Sequence, residues 1–176
     1  MPEVRILAPT GVIGSGFIES SFERGVSLKP HVIACDAGST DSGPAFLGTG
    51  SPHFSREGTK RDLRLMLLGR GRLGVPLIVG SCGTGGGDIG VNWMRDICLE
   101  IAQEEMKEAL LIYAFCSRRR EGDESGVSTT EELDAEIETY LTSRFGVSVN
   151  FDMPDAYETM DRFGLWEDRE RLRVLP

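Results

Sequence analysis

The chain is poor in the residues that build metal centres and catalytic triads. Its 176 residues include two histidines, His31 and His53, and four cysteines with no CxxC spacing. This scarcity argues against structural zinc, a histidine-based metal site and a Ser-His-Asp triad. All four cysteines lie among apolar neighbours, so we expect buried free thiols in a reducing compartment and no bound metal.

Long apolar runs are absent as well. No segment approaches the roughly 20 apolar residues that a membrane-spanning helix requires, and the N-terminus lacks the charged-then-apolar pattern of a signal peptide. We therefore expect a cytoplasmic protein without a membrane span. The chain carries 19 basic and 28 acidic residues, a net charge of −9. This acidic balance opposes electrostatic binding to nucleic acid or to an anionic membrane.

Glycine and negative charge are unevenly divided along the chain. Residues 1–103 hold 18 of the 22 glycines and equal numbers of acidic and basic residues, so their formal charge is zero. Residues 104–176 hold four glycines and carry the whole net charge of −9. We therefore predict two domains, 1–103 and 104–176.

The first domain alternates apolar strands with amphipathic helices. The strands are predicted at residues 4–8, 31–35 and 75–79, and the helices begin near Phe17, at residue 55 and near Val91. Gly69 and Gly71 are expected to end the second helix, over residues 55–68. Strands that are apolar throughout are typical of a parallel sheet covered by helices on both faces. The β-α-β-α-β-α order thus predicts an α/β fold with a three-layer Rossmann-like sheet.

Three polar, glycine-rich segments, residues 9–16, 36–44 and 80–90, each follow a predicted strand. Ligands bind at the carboxyl ends of parallel strands, so we expect these segments to converge on one pocket for a small anion. Asp36 and Asp41 are the candidate acid-base residues. The candidate ligand-binding residues are Thr10, Gly11, Gly14, Gly38, Ser39, Thr40, Lys60, Arg61, Ser81, Gly83, Gly85, Gly86 and Asp88.

Each segment has both a functional and a purely structural interpretation. The first resembles a dinucleotide loop, with Asp36 placed as a ribose-binding acid, or it is a tight turn. The second resembles the phosphate-binding start of actin-like ATPases, or Asp36 and Asp41 bond their own backbone. The glycines of the third admit either a ligand or a close backbone, and Asp88 is a ligand contact or a helix cap. Lys60 and Arg61 bind an anion or form a solvated helix face.

The second domain carries local helix signals. Thr129 or Thr130 is expected to cap a helix over residues 131–145 that ends at Gly146. Asp152 is expected to cap a helix over residues 153–163 with Pro154 in its first turn. A weakly alternating tail predicts a small strand. This layout resembles a small helical, winged-helix-like module, although its negative charge opposes DNA binding.

Residues 3–103 resemble the N-terminal part of the acyclic terpene utilisation (AtuA-like) family. The likeness rests on Arg5–Gly11, on Asp36–Pro44 with Leu47-Gly48, on Lys60–Leu63 and on Pro76–Ser81 with the glycines that follow. Members of that family are linked to the breakdown of branched acyclic terpenoids and related acyl compounds.

Residues 104–176 resemble the C-terminal segment of a family of predicted membrane-associated proteins of unknown function. The likeness rests on Glu108–Tyr113, Thr130–Asp134, Phe151-Asp152, Asp155-Ala156 and Gly164-Leu165. The two resemblances meet at the change in composition near residue 103.

The sequence therefore predicts a binding protein for an acyl-CoA, a phosphate or a carboxylate, with no cofactor assigned. It would be part of a catabolic enzyme acting on acyclic terpenoid or branched acyl compounds. One alternative is an NAD(P)-binding oxidoreductase. Another is a non-catalytic interaction or chimeric protein, which hides its sheet edge by forming a homo-oligomer.

Overall fold

A computed structural model describes residues 3–38, 43–120 and 129–176. In chain order the elements are β1 (Ile6–Leu7), α1 (Glu19–Ser27), β2 (Val32–Gly38), α2 (Gly43–Thr49), α3 (Arg56–Leu73), β3 (Leu77–Thr84), α4 (Asp88–Arg120), α5 (Thr130–Phe145), α6 (Met153–Arg162), β4 (Trp166–Asp168) and β5 (Arg173–Val174). The chain forms two compact units, Met1–Ile101 and Ala102–Pro176, and the boundary falls within α4.

The first unit is built on a parallel three-stranded sheet in the order β1-β2-β3. The predicted α/β class with a parallel sheet is confirmed. The strand bounds differ from those predicted, because β1 contains two residues and β3 runs on to Thr84, into the third glycine-rich segment. Helix α2 is an additional element, which begins at Gly43.

Helices cover one face of this sheet. Ile33, Cys35 and Ala37 of β2 are buried in a core that α1, α3 and α4 complete with Phe22, Met66 and Ile97 among others. The opposite face carries Ile6, Val32, Ala34, Asp36 and Ile78, and we call it the uncovered face. Ile6 is 64% exposed and Ile78 is 58% exposed.

The prediction of helices on both faces was therefore wrong for the described part of the chain. Right-handed crossovers between strands in the simple order 1-2-3 put all connecting helices on the same side of a sheet. A doubly covered sheet needs a reversal of strand order, and β1-β2-β3 has none.

Helix α3 runs through the two glycines that were expected to end it. It begins at the N-cap Ser55 and ends at Gly74, whose φ of 66° provides the left-handed C-cap. Gly69 lies inside the helix at a close contact with α1. A Cβ on Gly69 would lie 2.7 Å from Cζ of Phe22, so glycine there permits α1 and α3 to pack.

The predicted caps of the second unit are confirmed. Thr129 forms a capping box with Glu132 at the start of α5, and Gly146 ends that helix with a φ of 67°. Asp152 accepts a hydrogen bond from the Asp155 N–H at the start of α6, and Pro154 lies in the first turn of that helix, as predicted. The tail strand is present as β5, which pairs with β4 in an antiparallel hairpin.

The core of the second unit combines α4, α5, α6 and the hairpin. Its fully buried side chains include Ile112, Leu133, Ile137 and Met160. None of the helices in the described ranges is long and apolar enough to cross a membrane.

Candidate functional site

The three glycine-rich segments meet at the carboxyl edge of the sheet. The Ile13 N–H donates to the Asp36 carbonyl oxygen over 2.8 Å, which ties the first segment to the end of β2. A Cβ on Gly38 would lie 2.5 Å from both Cβ of Ser81 and the Thr84 carbonyl oxygen, so the second segment touches the third. The convergence expected from the strand order is present.

The first segment encloses a carboxylate that belongs to the protein. Asp62 of α3 is fully buried, and its Oδ2 accepts hydrogen bonds from the N–H groups of Gly14 at 2.9 Å and Gly16 at 3.0 Å. The Thr10 hydroxyl bonds within the segment, to Ser15 Oγ at 3.0 Å, and Gly11 is exposed. The Gly14 amide that was predicted to bind a ligand is therefore already hydrogen-bonded to an internal anion.

Arg61 is the counter-ion of this buried carboxylate. Its Nη1 lies 2.9 Å from Oδ1 of Asp62, and both terminal nitrogens donate to the Phe17 carbonyl oxygen at 3.1 Å. The guanidinium also lies 5.5 Å from the centre of the Phe17 ring, a cation–π contact. Arg61 thus connects α3 to the end of the first segment.

Lys60 and Arg56 hold a second carboxylate, on α4. Lys60 Nζ lies 2.7 Å from Oε1 of Glu100, and Arg56 donates to Oε2 at 2.6 Å. Hydrogen bonds from Lys60 and then from Arg56 lower the pKa of Glu100. Both cations predicted to neutralise a ligand are therefore already paired, Lys60 with Glu100 of α4 and Arg61 with the neighbouring Asp62 on α3.

Asp36 lies on the uncovered face of the sheet. Its neighbours Cys35 and Ala37 point into the helix-covered core, and alternation along a strand places Asp36 on the opposite side. The exposed carboxylate accepts the Gly38 N–H over 2.9 Å, as in an Asx turn. The sheet thus separates Asp36 from the ion pairs of α3, so the structure does not bring the predicted acid and the predicted cations together.

Cys35, beside Asp36, is a buried thiol. Burial, and then the negative charges of Asp36 and Asp62, raise its pKa from 9.0 to about 11. Cys116 is also buried, whereas Cys82 and Cys98 are half-buried, so the expectation of burial is wrong for these two. A raised pKa keeps Cys35 a neutral thiol at physiological pH, which makes it a poor nucleophile.

Close backbone contacts account for several glycines of the third segment. A Cβ on Gly90 would lie 2.2 Å from the Cys82 carbonyl oxygen, and one on Gly83 would lie 2.3 Å from Cα of Gly90. A Cβ on Gly85 would lie 2.8 Å from Cα of Leu47 in α2. These glycines allow α2 and the start of α4 to pack on the end of β3.

Two residues of the third segment that are not glycine have left-handed backbones. Ser81 has a φ of 47° and Thr84 has a φ of 75°. This conformation is unfavourable for a side chain with a Cβ and most so for a β-branched one. Thr84 is buried, and its Oγ1 accepts the His53 N–H over 3.0 Å, a bond that holds it in place.

A small cavity lies where the segments meet. It measures about 10 Å³, which is room for about one water molecule. Residues from all three segments line it, namely Ile13, Ala37, Gly83 and Thr84, together with the chain before α3 and parts of α3 and α4. A ligand of the size of acyl-CoA cannot enter it, so binding at this edge must occur on its exposed side.

Several predicted residues stand apart from this geometry. Ser39, Thr40 and Asp41 lie outside the described residues. Asp88 is exposed and is the first residue of α4, where a carboxylate stabilises the helix dipole and opposes a second anion. In the described ranges no group of three or more histidine, cysteine or acidic side chains is arranged to hold a metal ion.

We compared the chain with known protein families, curated proteins and solved structures. No family model, curated protein or solved structure matches this chain.

Sequence reasoning did not assign roles to Asp62 and Thr84. A signal for Asp62 was present, because it shares helical spacing with Thr59, Leu63 and Met66 on the buried face of α3. A carboxylate at such a position requires donors from elsewhere in the fold. The strain at Thr84 had no signal in the sequence, since glycines on both sides made that segment look permissive.

Proposed function

We propose that the first unit binds a small anionic molecule on the exposed side of the carboxyl edge, beside Ser81. The observation that carries this proposal is the strained backbone at Ser81 and Thr84 where three glycine-rich segments meet. Strained conformations persist only where the surrounding fold enforces them, and they concentrate at functional sites. The ligand would be an acyl-CoA, a phosphate or a carboxylate, in keeping with the AtuA-like resemblance and a Rossmann-like origin of the sheet.

The exposed residues of this edge are assigned to ligand contact, and the paired residues behind it are assigned to support. Ser81 offers an exposed hydroxyl, and the first turn of α4 offers N–H groups that have no acceptor within the helix. Asp36, exposed on the same edge, is the acid-base candidate for a reaction on a branched acyl or terpenoid compound. Lys60 and Arg61 support the edge through Glu100 and Asp62.

The proposal is tested by titrating the full chain with inorganic phosphate, acetate and acetyl-CoA while the backbone amides are followed by NMR. We expect at least one of these probes to shift the amides of residues 81–89. Ser81→Ala should weaken binding about fivefold by removing one hydrogen bond, while Ser15→Ala, a matched change in the first segment, should not. If none of the probes shifts residues 81–89, the proposal fails.

Asp88 distinguishes specific anion binding from general charge effects. Asp88→Asn removes a negative charge at the start of α4 and is expected to strengthen binding several-fold. Glu19→Gln removes an equal charge at the start of α1 and should leave affinity unchanged. Equal effects of the two variants would indicate non-specific attraction.

The NAD(P)-binding alternative gains no support from the described residues. Dinucleotides bind where strand order reverses, and the order β1-β2-β3 has no reversal. The amides of Gly14 and Gly16 already bond Asp62. We expect NADH fluorescence to be unchanged by the protein.

The uncovered face supports a second candidate, an interaction protein that pairs with its own copy. Ile6 and Ile78 are exposed there, and Asp36 is the one charged residue of that face in the described strands. Few like charges would therefore oppose the pairing of two copies, which would cover the apolar side of a parallel sheet. Light scattering tests this: a dimer that Ile78→Lys dissociates supports it, and a monomer that still binds phosphate rules it out.

For the second unit we propose a winged-helix-like arrangement. The order of α5, α6 and the β4–β5 hairpin supports it. Nuclear Overhauser contacts between the hairpin and α6 provide the test, and a hairpin without them would contradict it.

A further inference from the structure

The segment from Thr10 to Phe17 has the form of an oxyanion site. Gly14 and Gly16 have φ values of 94° and 85°, and both N–H groups point at one oxygen atom, Oδ2 of Asp62. Backbone N–H groups that converge in a glycine-rich turn form a concave cradle that favours anions. Here the anion comes from α3 of the same chain.

The carboxylate depends on this cradle for its stability. Asp62 has no exposed surface, and an ionised carboxylate without partners is costly to bury. Oδ2 receives the two glycine N–H groups and Oδ1 receives Nη1 of Arg61 at 2.9 Å. Charge-assisted bonds of this kind are about twice as strong as neutral ones. Both oxygens are thus hydrogen-bonded.

The cradle also positions the end of β2. Ile13, which precedes Gly14, donates its N–H to the Asp36 carbonyl oxygen over 2.8 Å. Ile13 is buried against the same core as Ala37. A first segment that lost its anion would therefore weaken a contact that holds the end of β2 at Asp36.

We propose that the Thr10–Phe17 segment is a binding site for a small carboxylate that the chain's own Asp62 fills, with Arg61 as its counter-ion. In the native protein the site is closed to free anions. When residue 62 no longer supplies the carboxylate, formate in solution can take its place between Gly14, Gly16 and Arg61. This proposal does not depend on the ligand proposed for the Ser81 side of the edge.

The test is rescue of Asp62→Ala by formate. The variant should have a lower Tm than the wild type, and sodium formate should raise that Tm by about 2–4 °C relative to sodium chloride of equal ionic strength. In the same titration the amides of Gly14 and Gly16 should shift in a saturable way. An equal gain in wild type and variant, or amides that do not shift, overturns the proposal.

Asp62→Asn is the matched control. Its amide fills the volume of the carboxylate and leaves no room for formate, so its Tm should fall without rescue. Rescue of Asp62→Asn to the same extent would show a general effect of formate and would overturn the proposal.

A measurement on the wild type covers the case in which Asp62→Ala does not fold. The amide hydrogens of Gly14 and Gly16 should exchange slowly although Gly16 is exposed, and formate should not shift them. Exchange at the rate of an open loop, or a saturable shift with formate, contradicts a site closed by Asp62.

Discussion

At the scale of single residues, two residues of the carboxyl edge have a backbone conformation that is unfavourable for any residue with a Cβ. Ser81 and Thr84 both have positive φ angles, which cost about 1–2 kcal/mol for a residue other than glycine. Neighbouring contacts offset that cost, with Thr84 held by the His53 N–H. The site is thus stabilised by its surroundings and not by its own conformational preferences.

Ser81→Gly should make the protein more stable. Relief of the left-handed strain outweighs the extra entropy of glycine in the unfolded chain, so the free energy of unfolding should rise by about 0.5–1 kcal/mol. Urea unfolding measures this, with Ser81→Ala, which keeps a Cβ, as the control. A loss of stability in Ser81→Gly but not in Ser81→Ala would mean that the relieved strain is smaller than the entropy cost of glycine, and would contradict the prediction.

Cys35 should make the free energy of unfolding depend on pH in the alkaline range. Its pKa is raised by burial from 9.0 to about 11, so between these values the unfolded thiol loses its proton while the folded one keeps it. The folded state then binds more protons, and stability, complete below pH 9, falls as the pH rises toward 11. The slope of stability against pH in this window should be shallower in Cys35→Ala. An unchanged slope would contradict the assignment to Cys35.

At the scale of elements, the end of β3 packs directly on the first turn of α4. The contact is between main chains, because Gly83 and Gly90 leave no room for a Cβ on either side. These glycines of the third segment therefore serve main-chain packing. Only the exposed remainder of the segment is available to a ligand.

Gly90→Ala should be strongly destabilising. Its methyl group would lie 2.2 Å from the Cys82 carbonyl oxygen, and main chain cannot move aside as a flexible side chain can. We expect a loss of about 1–3 kcal/mol in urea unfolding. Gly48→Ala in α2, with no atom within 4 Å of the new Cβ, is the control and should gain about 0.5–1 kcal/mol. Similar results for both variants would contradict the close approach.

At the scale of the whole molecule, the two units differ in charge. Residues 104–176 carry the net charge of −9 while residues 1–103 are neutral. Each unit contains one tryptophan, Trp93 in the first and Trp166 in the second, so fluorescence reports on each separately in single-tryptophan variants.

Salt should therefore stabilise the second unit more than the first. Screening reduces repulsion among the acidic residues and has little to act on in a neutral unit. We expect the urea midpoint reported by Trp166 to rise with sodium chloride more than that reported by Trp93. Equal shifts would indicate that local ion pairs, and not net charge, govern the response.

Local signals were predicted well because their causes lie within a few residues. Thr129 with Glu132, Asp152 with Pro154, and Gly146 gave the ends of α5 and α6 from short-range rules alone. Gly69 was misjudged because its role depends on Phe22, which lies far away in the chain. The uncovered face could not be predicted, since strand composition does not reveal strand order.

The sequence by itself determined the alternation of strands and helices, the caps of α5 and α6, the division of charge and the presence of three glycine-rich segments, because these depend on neighbouring residues. Only the tertiary structure decided what those segments enclose. Asp62 reaches Gly14 and Gly16 from 46 to 48 residues away, and Gly90 meets Cys82 across a turn. Non-local contacts satisfy amides and fill space that the sequence alone left open for a ligand.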